Sequence, residues 1–203
     1  MNDGRGLPPG VLLFDGFLDA PAQTALLEAL RGVAAAAPPR RMETPNGRRM
    51  SVAMTSAGRV GWVADRSGYR YEPRQPSGAP WPPIPEQALA IWRAVSGWAE
   101  PPDCLLLNHY EAGAKMGLHR DADEGAFAAP VVSVSLGDPA RFRLGGLRRR
   151  DPTRSFELRS GDVLVMGGAS RLIWHGVDRI DFGVSPLLAQ GGRLNLTMRV
   201  VRP

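Results

Sequence analysis

One cysteine, Cys104, and one lysine, Lys115, are all that this 203-residue chain has of either type. A single thiol excludes an internal disulfide and fits a reducing compartment. Standing before Leu105-Leu106-Leu107, Cys104 reads as a small buried apolar residue. No apolar run approaches the roughly 20 residues of a membrane span, and residues 1–10 lack the charged-then-apolar order of a signal sequence. The expectation is a cytoplasmic protein with no membrane partner. With lysine almost absent, the positive charge is arginine: 25 Lys and Arg stand against 20 Asp and Glu, a formal net charge of +5. Such a surface suits phosphate. Arginine, alanine, glycine and proline are all abundant, however, so a codon bias accounts for the same charge. Composition permits nucleic acid without requiring it. The length and the 43% apolar content fit one domain, residues 1–203, with a sizeable core. A monomer is expected.

Histidine is nearly as scarce. Of three, His119 opens His119-Arg120-Asp121, His175 sits in Trp174-His175-Gly176, and His109 lies between Asn108 and Tyr110. On a strand, positions two apart share a face, so His119 and Asp121 can reach one ion together. A histidine from another strand closes a triangular face and leaves the opposite positions open. This is the 2-His-1-carboxylate arrangement of non-haem iron oxygenases. Taken singly, His-x-Asp is usually a surface turn, and a histidine beside a tryptophan is usually a hydrogen-bonded core residue. The ordered set is more specific, because an arginine strand follows it. Arg193, Asn195, Thr197 and Arg199 alternate with Leu194, Leu196, Met198 and Val200, the period of a half-buried strand. Either that strand has a wet polar face, or both arginines face a barrel interior. In the second case their Cα atoms stand about 20 Å apart, and two permanently charged planar forks leave room for a short dicarboxylate.

The rest of the chain supplies a frame for such a site. Pro21 in a first turn and the run to Ala37 predict a helix, stopped by Pro38-Pro39. Residues 40–83 are rich in Gly, Pro and Arg, with short alternating pieces such as 50–55, and read as a functional lid. Trp62, Tyr69 and Tyr71 argue against a disordered linker there. Residues 85–96 predict a second helix with Leu89, Trp92 and Val95 toward the core. From Cys104 onward the pattern gives short strands at 104–110, 115–120, 131–136, 141–144, 155–158, 162–166, 171–177 and 193–200. About eight strands divided by Gly- and Pro-containing turns imply an α+β, mainly β fold, a double-stranded β-helix (jelly roll) with outer helices. The catalytic core is expected at about 104–200 and the recognition lid at about 40–83. There is no internal repeat and no second domain.

Several longer strings sharpen this reading. They are Met50-Ser51-Val52-Ala53-Met54-Thr55, Gly61-Trp62, Gly68-Tyr69-Arg70-Tyr71, Pro80-Trp81-Pro82, Asn108-His109-Tyr110, Ser133-Val134-Ser135-Leu136-Gly137, Phe142-Arg143-Leu144-Gly145-Gly146-Leu147 and Gly161-Asp162-Val163-Leu164-Val165. With the triad and the arginine strand, and over residues 42–199, the chain resembles the AlkB family of Fe(II)/2-oxoglutarate-dependent dioxygenases, which repair alkylated nucleic acid bases.

The resemblance implies Fe(II) on His119, Asp121 and His175, with O₂ and 2-oxoglutarate as cosubstrates. Arg193 would take the distal carboxylate of 2-oxoglutarate and Arg199 the one nearer the metal, with Asn108, Tyr110 and Asn195 adding hydrogen bonds. It further implies oxidative demethylation of N1-methyladenine and N3-methylcytosine in DNA. Single-stranded DNA is the expected form and RNA a second candidate. Trp62 would stack on the flipped base, with the His119 ring on its other side, and Tyr69 would touch the phosphate backbone or close the pocket mouth. Asp123 fits an exocyclic amino group of a cationic base, or alternatively orients the metal site. Met54, Arg149 and Ser133 match pocket positions; Met54 reads equally as core and Arg149 as a surface charge.

Two departures stand out: Met166 where the family pattern has tryptophan, and a slightly longer segment between His175 and Arg193. Two other functions share part of this pattern, namely a hydroxylase of protein or small molecules with the same chemistry, and a non-catalytic jelly-roll metal-binding module. The lid strings argue against the first and the paired arginines against the second.

Overall fold

The computed structural model describes residues 6–201; residues 1–5, part of the N-terminal stretch read above, and 202–203 lie outside the described residues. In chain order the elements are β1 (Val11–Phe14), α1 (Ala20–Ala36), β2 (Ala53–Gly58), β3 (Gly61–Asp65), β4 (Gly68–Glu72), α2 (Glu86–Val95), β5 (Cys104–Tyr110), β6 (Met116–His119), β7 (Val131–Gly137), β8 (Ala140–Leu144), β9 (Arg154–Leu158), β10 (Val163–Met166), β11 (His175–Ile180) and β12 (Arg193–Arg199). A six-stranded sheet runs β1-β10-β7-β12-β5-β2 and a four-stranded sheet β6-β11-β8-β9, while β3 and β4 form a separate hairpin. All these pairings are antiparallel. This is the jelly roll expected from the sequence.

Period-2 alternation decides what each face of the large sheet touches. Leu105 and Leu107 of β5, Val132, Val134 and Leu136 of β7, Val163 and Val165 of β10, and Leu196 and Met198 of β12 join the helices in one apolar cluster. The helices contribute Leu26, Leu30 and Val33 from α1 and Ala88, Ile91, Trp92 and Val95 from α2. Helix α1 starts where the Asp19 carboxylate accepts the Ala22 N–H at 2.9 Å, and it ends just before Pro38-Pro39. The opposite face of the sheet meets the four-stranded sheet through Leu106, Tyr110, Leu164 and Met166 on one side and Phe142, Leu144, Leu158 and Val177 on the other. Arg193, Asn195, Thr197 and Arg199 are the β12 residues on this inner face. Arg193 is 1% exposed and Arg199 5%, so the strand has no wet face.

Several details differ from the sequence expectation. Strand β1 lies in an apolar stretch too short for any pattern to register. Residues 40–83 contain three strands, and β2 is an edge of the main sheet, paired with β5 from Ala53↔His109 to Gly58↔Cys104. Leu89 is only half-buried, and Ile91 takes the inward position. The strand expected at 171–177 begins at His175. Before it, a 3₁₀ turn at Gly168–Ser170 delivers Arg171 into the interior, where its guanidinium donates to the carbonyls of Ala129 and Asp121, both at 2.9 Å. The long segment between β11 and β12 is organised by one side chain. Asp138, fully buried after β7, accepts the backbone N–H groups of Gly183, Val184, Ser185 and Gly192 at 2.6–2.9 Å.

Burial opposes the charge on Asp138, but those four donors outweigh it and hold its carboxyl below the usual range. Asp138→Ala strands one buried donor, the Gly192 N–H, and releases three half-buried ones, so we expect roughly 1–3 kcal/mol of destabilisation in urea unfolding. Because the folded pKa is the lower one, this contribution is complete above the unfolded value of about 3.9 and disappears as pH falls through the folded value. The difference in stability between wild type and Asp138→Ala should therefore shrink in acid.

Candidate active site

His119 ends β6 and His175 begins β11, and the two are direct partners in the antiparallel ladder. Opposite residues on paired strands point the same way, so both imidazoles enter one space, with ring centres 4.4 Å apart. Close approach of these strands requires Gly176: a Cβ there would lie 2.7 Å from the Met116 carbonyl oxygen. Asp121 stands just beyond the end of β6, with its carboxylate oxygens 3.9 Å from Nε2 of each histidine. One ligand atom from each of the three lies within 4.8 Å of the others.

The tautomers suit a metal. Nδ1 of His119 is 2.9 Å from the Gly117 carbonyl and Nδ1 of His175 is 3.0 Å from that of Ile173. A carbonyl only accepts, so each Nδ1 carries the proton and each Nε2 presents a lone pair to the centre. Burial, reinforced by neighbouring His119, pushes His175 down to about 4, which keeps it neutral at physiological pH. Burial opposes the charge on Asp121, but Arg199 and the two histidines overcome it, and the carboxylate stays ionised well below its ordinary range.

Beside the triad the inner faces of β5 and β12 carry the cosubstrate candidates. Asn108 and Asn195 are direct partners in the register, as are Tyr110 and Arg193. The Asn195 amide donates to Ser133 Oγ at 2.8 Å and to the Val134 carbonyl, and Thr197 Oγ1 donates to its Oδ1. Ser133 is thereby committed to holding Asn195. Arg193 donates to Ser135 Oγ at 2.7 Å and to the carbonyls of Asp138 and Leu158 at 3.3 Å. Among the described residues no carboxylate pairs with it. Burial lowers its guanidinium to about 10 against the opposing influence of Tyr110 and Asp162, so it is a cation held in a dry interior with no carboxylate in contact. Its Nε and Asn108 Oδ1 are buried with no hydrogen-bond partner. A buried, unpaired cation with an orphaned donor fits the carboxylate of a bound acid. Arg199 differs, for it already faces Asp121 Oδ2 at 2.9 Å.

Of the substrate candidates, the structure joins Trp62 to Asp123 and Tyr69. The Trp62 indole donates to the Asp123 carboxylate at 3.0 Å and stacks on Tyr69, centroids 5.5 Å apart and planes 18° apart. Met54 is buried on β2 opposite Asn108. Arg149 does not join them. It is exposed on the β8–β9 loop with its guanidinium 5.3 Å from the centre of the Trp174 ring. Sequence reasoning missed Glu124, whose side chain is 1% exposed between Arg171 and Arg199. The acidic run Asp121-x-Asp123-Glu124 was its only signal.

Comparison with known proteins agrees with this geometry. Residues 10–199 match the 2OG-Fe(II) oxygenase superfamily. The chain is 50% identical over 195 residues to the alpha-ketoglutarate-dependent dioxygenase AlkB homolog of Caulobacter vibrioides, covering 96% of this chain and 89% of that one. It is 45% identical over 183 residues to the alpha-ketoglutarate-dependent dioxygenase AlkB of Escherichia coli K12, covering 88% and 84%. The solved structure of OsALKBH1 superimposes with a TM-score of 0.78 at 33% identity, covering 95% and 99%. The triad, the unpaired interior arginine and these relatives make the chain a member of the AlkB family of the 2OG-Fe(II) oxygenase superfamily, dioxygenases that use Fe(II), 2-oxoglutarate and O₂.

Proposed function

We propose that this protein removes alkyl groups from nucleobases in DNA by oxidation, with N1-methyladenine and N3-methylcytosine as the substrate type and RNA as a second substrate. The observation that carries the reading is the Trp62–Asp123 pair, an indole face and a carboxylate held together by a 3.0 Å hydrogen bond. A methyl group on adenine N1 or cytosine N3 leaves the base cationic, so a flat ring with a carboxylate at its edge favours the damaged base over the normal one. In this reading residues 40–83 are the recognition lid, whose β3–β4 hairpin closes over a base flipped toward His119, and residues 104–200 are the catalytic core. Single-stranded DNA, a monomeric state and a cytoplasmic setting complete the proposal. Among the described residues no helix is long and apolar enough to cross a membrane.

Fe(II) with 2-oxoglutarate and O₂ would supply the oxidant: one oxygen atom ends in succinate as 2-oxoglutarate loses CO₂, the other hydroxylates the N-methyl group, and that product releases formaldehyde and the restored base. The chain does the rest. Nε2 of His119 and His175 and the Asp121 carboxylate would hold the metal. Arg193 binds the distal carboxylate of 2-oxoglutarate, Arg199 the carboxylate nearer the metal, and Asn108, Tyr110 and Asn195 orient it. Met54 and Ser133 line the interior beside them, and Arg149 with the other loop arginines meets phosphate.

Trp62→Ala should weaken binding of a methylated single-stranded oligonucleotide by roughly 1–3 kcal/mol, the worth of one base–aromatic stack. Decomposition of 2-oxoglutarate without nucleic acid should persist, because Trp62 is not among the metal ligands. Unchanged turnover of the methylated base would remove the hairpin from base reading and favour a protein or small-molecule hydroxylase.

A further inference from the structure

Glu124 lies where the β3–β4 hairpin meets the jelly roll. Its carboxylate is almost sealed from solvent, and both oxygens are engaged. Oε1 accepts the hydroxyl of Tyr71 in a short hydrogen bond and lies 3.4 Å from Arg199 Nε, while Oε2 lies 3.3 Å from Arg171 Nη2. Arg199 in turn donates from Nη1 to the Tyr71 oxygen at 3.2 Å and faces Asp121 Oδ2 through Nη2 at 2.9 Å and Nε at 3.2 Å. Tyr71 belongs to β4, the outer strand of the hairpin, and is paired in register with Trp62. The other members belong to the jelly roll: Arg171 before β11, Arg199 at the end of β12, Asp121 and Glu124 after β6.

The hydroxyl of Tyr71 has one proton and accepts one more bond, so the chain has a direction: Arg199 to Tyr71 to Glu124. Burial, with the neighbouring Glu124 charge, raises the Tyr71 phenol far above its ordinary value, and the proton stays in place. Two guanidinium groups are balanced by two carboxylates. Asp121 is a metal ligand in the reading above, so Glu124 is the anion that keeps Arg199 from being drawn wholly onto Asp121. A buried ionic cluster seldom adds stability over an apolar contact of the same shape. Its presence where the hairpin meets the site therefore calls for another explanation.

We propose that Glu124 is a positioning residue which, through Tyr71, ties the β3–β4 hairpin to Arg199. Occupancy of the cosubstrate end then firms the hairpin that holds Trp62 and Tyr69, and an occupied hairpin firms the cosubstrate end. The proposal rests on the assignment of Arg199 to 2-oxoglutarate. By linkage the two ligands strengthen each other by one and the same factor, about 5- to 150-fold in coupled systems of this kind.

The test uses the whole protein with Mn(II) in place of iron, without O₂, in the wild type and in Tyr71→Phe and Glu124→Gln. Hydrogen exchange of residues 61–72 is followed with and without 2-oxoglutarate, and the affinity for a methylated single-stranded oligonucleotide is measured in both states. In the wild type 2-oxoglutarate should slow exchange across 61–72 and tighten the oligonucleotide at least 5-fold. In Tyr71→Phe, which keeps the ring and loses only the hydroxyl, both effects should vanish while 2-oxoglutarate still binds within about 3-fold of wild type, because Arg199 gives up its one bond to that hydroxyl and keeps its contacts with Asp121 and Glu124. Glu124→Gln should lose the same coupling and weaken 2-oxoglutarate about 10-fold. Retention of the slowing in both variants overturns the proposal. So does faster exchange spread over the six-stranded sheet, which would make the cluster plain structural glue. If the oligonucleotide fails to bind the wild type, the proposed substrate is wrong; the exchange response to 2-oxoglutarate alone still decides for or against Glu124.

Discussion

His119→Ala is expected to abolish turnover and to lower metal affinity by more than about 100-fold, since loss of partners that merely orient ligands already costs 10- to 100-fold. The urea-unfolding midpoint should hardly move. His119 is half-exposed at a strand end, where its ring hydrogen-bonds the Gly117 carbonyl. His175→Ala should lose activity equally. Asp121→Ala should also inactivate, but it is the less clean experiment. It removes a carboxylate that Arg199 faces at 2.9 Å, and a buried charge deprived of its partner costs about 3–5 kcal/mol. We therefore expect Asp121→Ala to be both inactive and destabilised, and His119→Ala to be inactive and stable. Metal titration and urea unfolding on the same samples separate the two effects. Full activity in any of the three would remove the triad assignment.

Arg193→Lys should raise the apparent KM and the Kd for 2-oxoglutarate by about 10- to 150-fold, the equivalent of one charge-assisted hydrogen bond at 1.5–3 kcal/mol. Two physical effects act together. Lysine loses the planar fork that meets a carboxylate with two parallel bonds. In addition, burial at this site already lowers an arginine to about 10, and a lysine, with its lower intrinsic pKa, sheds much of its charge in the same surroundings. Binding of the methylated oligonucleotide in the absence of 2-oxoglutarate should stay close to wild type. An unchanged Kd for 2-oxoglutarate would mean that the interior cation serves another anion or none.

The parts of this site legible in the sequence were those that depend on period and order. Alternation in 193–200 placed four polar residues on one face, and the burial of Arg193 and Arg199 shows that face to be interior. His119-x-Asp121 and the distant His175 give the metal set because strand pairing puts both histidines opposite one another, a long-range fact that the order of residues hints at without proving. Glu124, Arg171 and Tyr71 were not legible. Their roles come from a 3₁₀ turn, a loop and an outer hairpin strand converging, and none of these has a periodic signature. Asp138 was equally silent, because its four partners lie 45 to 54 residues further on. Strand β11 was misplaced for a related reason: Arg171, Ile173 and His175 alternate as a strand would, yet Arg171 is drawn inward by carbonyl groups that only the folded chain supplies.

The most direct test of the central claim is to follow succinate and formaldehyde together, with Fe(II), 2-oxoglutarate and O₂, while adding single-stranded oligonucleotides with or without one N1-methyladenine. Both products should appear in equal amounts with the methylated strand, and only slow succinate formation without formaldehyde should be seen with the unmethylated one. Succinate formed at the same rate with either strand or none, and never accompanied by formaldehyde, would contradict the account and leave an oxygenase whose substrate is not a methylated base.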